Sequence, residues 1–186
     1  MSQPAMPERR RDLMRRRLFE LEREAFELYA ELSKLHVNDR LPGTYLVVES
    51  GGFGAVIPAS AVCEIVRLVE CTPLPSVPSF VRGTFIYRGT VVLAVDLSRY
   101  LGAPQELQMD AHMIVLAASR PTALCVDRVR TLVESPVIAE GSADGEGEAG
   151  AGGVGKLTVG LCTVDGKVLP IVGLAPLLAS LEGLSP

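Results

Sequence analysis

The chain has 186 residues, 48% of them hydrophobic and 22% charged, with a formal net charge of −4. That length suits one ordinary domain or two small fused barrels, and that apolar content excludes wholesale disorder. The acidic balance argues against a nucleic-acid partner for the domain as a whole, and with 5% aromatics and no Trp the core has to be aliphatic.

Residues 8–36 are predicted to form a long amphipathic helix, within an N-terminal extension over residues 1–40. Met14, Leu18, Leu21, Ala25, Leu28, Leu32 and Leu35 alternate at spacings of 4 and 3. This is a heptad a/d pattern over about three heptads. Phe19, Phe26 and Tyr29 widen the apolar face. Arg9, Arg10, Arg11, Arg15, Arg16 and Arg17 make the first half basic, and Glu20, Glu22, Glu24, Glu27 and Glu31 make the second half acidic. Cations at a helix N-terminus oppose the macrodipole. Two readings stay open: the helix self-associates or pairs with a partner helix, or its apolar face docks on its own domain. The Arg cluster also fits nucleic acid or an acidic surface, although no interleaved aromatics accompany it.

Asn38 to Gly43 break the helix, with Pro42 and Gly43 as punctuation. Strands are then predicted at 45–49 and 53–57, flanking Ser50, Gly51 and Gly52 as a hairpin signal. A run at 61–69 leads into a loop with Pro73, Pro75 and Pro78. Runs at 81–87 and 90–97 flank Arg88 and Gly89, and runs at 112–117 and 123–129 flank Ser119, Arg120 and Pro121. The runs at 157–164 and 167–172 flank Asp165 and Gly166, the clearest two-residue turn. Residues 140–155 hold seven Gly and four acids with no base. Such a segment buries too little apolar surface to offset its chain entropy, so a flexible loop is expected there.

One segment occurs twice. A constant offset of 77 residues pairs Gly89 with Gly166, Val91 with Val168, Val95 with Val172, Leu97 with Leu174 and Leu101 with Leu178. A weaker echo at offset 63 pairs Glu64, Val66 and Arg67 with Asp127, Val129 and Arg130. Self-similarity of this kind means one supersecondary unit used more than once. The unit reads as a turn, a β-rich apolar run and a short Leu-rich helical turn. The chain is therefore expected to be mainly β, built from two related units.

No catalytic set can be assembled. GxSxG, HExxH and Walker A patterns are absent. Only His36 and His112 could serve as an imidazole base, and His112 opens an apolar strand. Cys63, Cys71, Cys125 and Cys162 form no CxxC pair, so neither a metal site nor another cofactor is expected. Reduced thiols in a cytoplasmic protein fit best. The basic N-terminus is followed by no apolar h-region, and no stretch approaches the ~20 apolar residues that span a bilayer. Direct membrane insertion is not expected.

Glu64 and Arg88 each interrupt an otherwise apolar β run. The planar, multidonor guanidinium of Arg88 is suited to gripping a carboxylate. One reading is a Glu64–Arg88 pair that shapes a groove and meets a partner. The other is an Arg at a hairpin tip facing water, with Gly89 supplying the turn.

Four stretches in order carry a resemblance: Val62-Cys63-Glu64-Ile65-Val66, Pro75 through Gly83, Ile86-Tyr87-Arg88-Gly89 and Val95-Asp96-Leu97. Together they resemble the CheW-like coupling domain of bacterial chemotaxis, over about residues 44–182. The resemblance implies two intertwined SH3-like β-barrels and a non-enzymatic adaptor. It implies two partners, the regulatory domain of a CheA-type histidine kinase and the cytoplasmic tip of chemoreceptors. It places Glu64 and Arg88 near the interaction surface, Gly83 and Gly89 as turn formers and Val62 as a groove contact. Ile86-Tyr87 stands where the family has Asn-Leu, and Leu93 where it commonly has proline. The protein would sit in the cytoplasm at membrane-associated receptor arrays. The alternative is a coiled-coil scaffold whose Arg-rich helix binds nucleic acid or an acidic surface.

Overall fold

Type I′ turns, with positive φ at both central residues, match the right-handed twist of the strands they join. Three such turns organise this chain, in a computed structural model that describes residues 40–139 and 158–181 together with six separate positions between Met14 and Leu28. Gly51 and Gly52 (φ 63° and 81°) join β1 (Thr44–Ser50) to β2 (Phe53–Pro58). Arg88 and Gly89 (φ 49° and 79°) join β4 (Val81–Tyr87) to β5 (Thr90–Asp96). Asp165 and Gly166 (φ 50° and 74°) join β10 (Thr158–Val164) to β11 (Lys167–Val172). A fourth hairpin pairs β6 (His112–Leu116) with β7 (Thr122–Val126). The remaining strands are β3 (Val62–Arg67), β8 (Arg128–Glu134) and β9 (Val137–Ile138). Two short helices, α1 (Leu97–Tyr100) and α2 (Leu174–Ser180), follow β5 and β11 at equivalent places in the repeat.

The strands form two sheets, ordered β8-β1-β2-β11-β10-β9 and β3-β6-β7-β5-β4. Each closes on itself through one bent strand. The chain from β8 into β9 lies against β1 at one end and β10 at the other, and a bridge from Arg40 to Val137 continues the seam. The chain from β3 to Thr72 pairs with β6 at one end and with Thr84 of β4 at the other. Two barrels result, each mixing the halves of the chain. The β1–β2 hairpin meets β11 of the second half, in parallel, and β6–β7 meets β5 of the first half, also in parallel. The barrels are intertwined because each half lends its first hairpin to the other half's strands.

Three apolar clusters follow from this arrangement. One fills the first barrel with Val47, Val56, Cys162 and Ile171, and one fills the second with Phe85, Val92, Met113 and Val115. The largest lies between the barrels and includes Val48, Ile57, Val95, Leu97, Leu124, Leu177 and Leu181. Strands at the junction are covered on both faces, which favours continuous apolar runs over alternation. β7 is such a strand, with all five residues buried.

Two expectations require correction. The apolar run at 123–129 is not one strand: it ends at Val126, and β8 begins at Arg128. Between them the Asp127 carboxylate accepts the Gly51 backbone N–H at 2.8 Å and the Asp127 amide donates to Glu49 O. Those long-range bonds take Asp127 out of the ladder. Gly83 is not a turn residue. It lies within β4 beside a register shift, with φ 135°. The helix expected over 8–36 lies outside the described residues except at Met14, Arg17, Leu21, Glu24, Ala25 and Leu28, all helical and exposed. The loop expected at 140–155 also lies outside them.

Candidate interaction surface

β3 alternates: Val62, Glu64 and Val66 are half-buried, while Cys63, Ile65 and Arg67 face solvent. This period-2 pattern turns the Glu64 carboxylate toward the barrel edge, where β4 ends. Tyr87 is the last residue of β4, and Arg88 follows with left-handed backbone. Glu64 Oε2 accepts a hydrogen bond from Arg88 Nη2 at 2.6 Å and another from the Tyr87 hydroxyl. The Arg88 guanidinium also stands 5.3 Å from the Tyr87 ring centroid. One carboxylate therefore gathers a phenol and a guanidinium at the tip of the β4–β5 hairpin.

The electrostatics of the trio are those of a surface. The Arg88 side chain is 74% exposed and that of Glu64 38%, a setting in which an ion pair contributes ~0–1 kcal/mol. The Tyr87 phenol is pushed above its ordinary range, chiefly because it donates to Glu64, with burial adding and Arg88 opposing. Beside the trio, Ile86 is 77% exposed and Val91 53% exposed. They are direct cross-strand partners. A polar cluster with spare N–H donors thus adjoins a small apolar ridge, a composition suited to protein recognition.

A second polar network is internal. Asp96 is fully buried and caps α1, accepting from Arg99 N at 3.2 Å and from the Ser98 hydroxyl at 2.7 Å. Arg82 Nη1 donates to its other oxygen at 3.3 Å. The capped aspartate fixes the end of β5 and the start of α1. On the opposite barrel, Arg130 Nη2 donates to Glu49 Oε2 at 2.6 Å. That bond, helped by the charges of Arg130, Arg128 and Lys167, holds the Glu49 carboxyl below its usual value against the effect of burial.

The structure brings Glu64, Arg88 and Gly89 together and leaves two expected site residues elsewhere. Val62 packs against the shared core at the start of β3. Gly83 sits four residues back along β4. A Cβ there would stand 2.1 Å from Thr72 O and 3.0 Å from Pro73 Cα. Its bare backbone is what lets the bent strand close the second barrel through hydrogen bonds of 2.7 and 2.9 Å between Thr72 and Thr84. Tyr87, singled out in the sequence only as a departure from the family dipeptide, joins the site through Glu64. Its signal was the dipeptide Ile86-Tyr87, which alternates one exposed and one half-buried side chain before the turn. Among the described residues, no cluster of three or more His, Cys, Asp or Glu is placed to hold a metal ion. No helix among them is long and apolar enough to cross a membrane.

Comparison with known proteins bears on this arrangement. The family model for the CheW-like domain matches residues 44–182. The crystal structure of scaffolding protein TtCheW from Thermoanaerobacter tengcongensis is similar in fold, with a TM-score of 0.59 at 21% identity. The alignment covers 72% of this chain and 90% of that one. No curated protein matches the chain. The matched residues run from β1 through α2 and so contain both barrels and the Glu64–Tyr87–Arg88 cluster. By that match the chain belongs to the CheW-like domain family.

Proposed function

We propose that this chain is a chemosensory adaptor, without chemistry of its own, that couples chemoreceptor tips to a CheA-type histidine kinase in the cytoplasm. Family membership supports the adaptor role. The observation that carries the site is the seating of Arg88 and Tyr87 on one Glu64 carboxylate. Glu64 binds Arg88 through Nη2, and a guanidinium has five N–H donors in a rigid fork. Donors that point outward suit a partner's carboxylate or carbonyl. Ile86 and Val91 supply the adjoining apolar contact, and Gly89 keeps the hairpin tip compact. Val62, half-buried at the start of β3, would support the surface from the core beneath it. Signal would pass as a shift in the populations of a shared assembly, which requires only that partners bind its states unequally.

The test is a reconstituted mixture of receptor fragment, kinase and this protein. Arg88→Ala is expected to lower receptor-dependent kinase activation at least tenfold while leaving the thermal midpoint within about 2 °C, as befits an exposed ion pair. Unchanged activation and unchanged binding would remove Arg88 from the mechanism. Glu64→Gln keeps the shape of the acceptor and removes its charge, so a partial loss is expected.

A further inference from the structure

The end of the second barrel that lies away from the Arg88 tip carries a cavity of about 550 Å³. The chain leaves β3 there through Leu68 and Cys71, β4 opens with Val81 and Arg82, and α1 follows the end of β5. Leu68, Pro73 and Val81 give the cavity an apolar lining, and Arg82 and Arg99 give it two guanidiniums. We infer that this barrel mouth binds a small organic carboxylate, its head paired with Arg82 and Arg99 and its hydrocarbon body against the apolar lining.

The ion pairs at the mouth leave one positive charge over. Asp96 Oδ2 lies 3.3 Å from Arg82 Nη1 and 3.5 Å from Arg99 Nε. Two cations thus share one oxygen of a single, fully buried carboxylate. Its other oxygen is taken by the Ser98 hydroxyl and the Arg99 backbone N–H. Glu70, the acid among the described lining residues, pairs with neither guanidinium. An arginine offers five N–H donors in a planar fork, so each keeps donors beyond the one that faces Asp96. Both stay reachable, with side chains 33% and 43% exposed. The shared anchor holds the forks side by side before any ligand arrives, which lowers the ordering cost of binding. An incoming anion also relieves the repulsion between two adjacent cations. Fork-to-fork pairing favours a carboxylate head, and the apolar lining favours a head that carries a hydrocarbon body over a bare ion. The cavity is of a size that small-molecule sites have.

This inference is independent of the Glu64–Arg88 reading, whose cluster stands about 20 Å away at the far end of β4. Cys71 lines the cavity and reports its occupancy. Alkylation of Cys71 by iodoacetamide is followed by mass spectrometry on the full chain, with exposed Cys63 as the reference thiol. The probes are sodium hexanoate, hexanol and sodium phosphate, at matched ionic strength. Hexanoate is expected to slow Cys71 at least fivefold relative to Cys63, with half-protection on the order of 10 mM. Hexanol and phosphate should each slow it less than twofold. Arg99→Gln should abolish the protection, and Arg99→Lys, which keeps the charge without the fork, should weaken it. Both variants keep the cap of α1, because Asp96 accepts from the backbone N–H at that position, and an unchanged circular dichroism spectrum verifies this. Absence of protection by hexanoate would leave the mouth without a ligand of this class. Equal protection by hexanol would make it an apolar cleft, and equal protection by phosphate a patch of charge. Protection that survives Arg99→Gln would place the anion elsewhere. Any of these four results overturns the inference.

Discussion

Gly83→Ala tests how the second barrel closes. Two costs add at this position. A φ of 135° is a backbone conformation that only glycine adopts without strain, and forcing another residue into such a region costs ~1–3 kcal/mol. The added methyl would also lie 2.1 Å from Thr72 O and 2.7 Å from its carbonyl carbon. That oxygen is backbone held in a hydrogen bond from Thr84 N, with Thr72 N bonded back to Thr84 O. It cannot swing aside as a side chain does, and moving it weakens two bonds of about 1 kcal/mol each. The total is ~3–4 kcal/mol, which for a chain of this size lowers the thermal midpoint by about 10 °C. Gly89→Ala is the internal standard, because it has positive φ (79°) with nothing within 4 Å of the new methyl. It should cost ~1 kcal/mol, the conformational part alone. Both are read by urea denaturation followed by circular dichroism. If the two variants agree within about 0.5 kcal/mol, the close approach of Thr72 contributes nothing and the account of barrel closure fails.

Asp96→Ala removes the cap of α1 and the acceptor of the Ser98 hydroxyl. It should cost about 3 kcal/mol in the same assay, and a loss below about 1 kcal/mol would refute the role assigned to the network. In thiol titration with a disulfide reagent near pH 8, exposed Cys63 should react promptly and Cys71 slowly, because burial raises its pKa against a lowering by Arg82. Cys162, pushed up to about 11 by burial, and Cys125, pushed up further by the same cause, should react only in denaturant. Prompt reaction of three or more thiols would contradict the packing described. The depressed Glu49 carboxyl gives a pH signature. A carboxylate with a lowered folded-state pKa adds stability above its unfolded value and loses it as pH falls through the folded value. Arg130→Ala should therefore lower stability slightly near neutrality and not at all at pH values well below the ordinary 4.5. A deficit that persists in acid would mean that Arg130 acts through packing.

Local chemistry made much of the fold readable. The two hairpins closed by Arg88-Gly89 and Asp165-Gly166 fall where the turn residues and the 77-residue offset put them. The helical turns at Leu97 and Leu174 follow the same repeat. Interactions between distant residues were not readable. Asp127 looks like the middle of an apolar strand until Gly51, 76 positions away, draws its carboxylate out. Gly83 lies inside a run that reads as a strand and was assigned a turn only through the family resemblance, whereas its need arises from Thr72, brought alongside only when the barrel closes. The site divides in the same way. The Glu64–Arg88 pair was visible as polar interruptions of apolar runs and through the family resemblance. Tyr87 entered the cluster only once β3 and the end of β4 were side by side.

Because β1–β2 and β6–β7 each complete the opposite barrel, a cut between β5 and β6 leaves no whole barrel on either side. Melting should consequently be a single cooperative event. Split polypeptides divided near Gly102 should remain incomplete apart and regain their structure only on recombination. A load applied at the Arg88 tip passes from β5 to β7, a strand that the other half of the chain supplies.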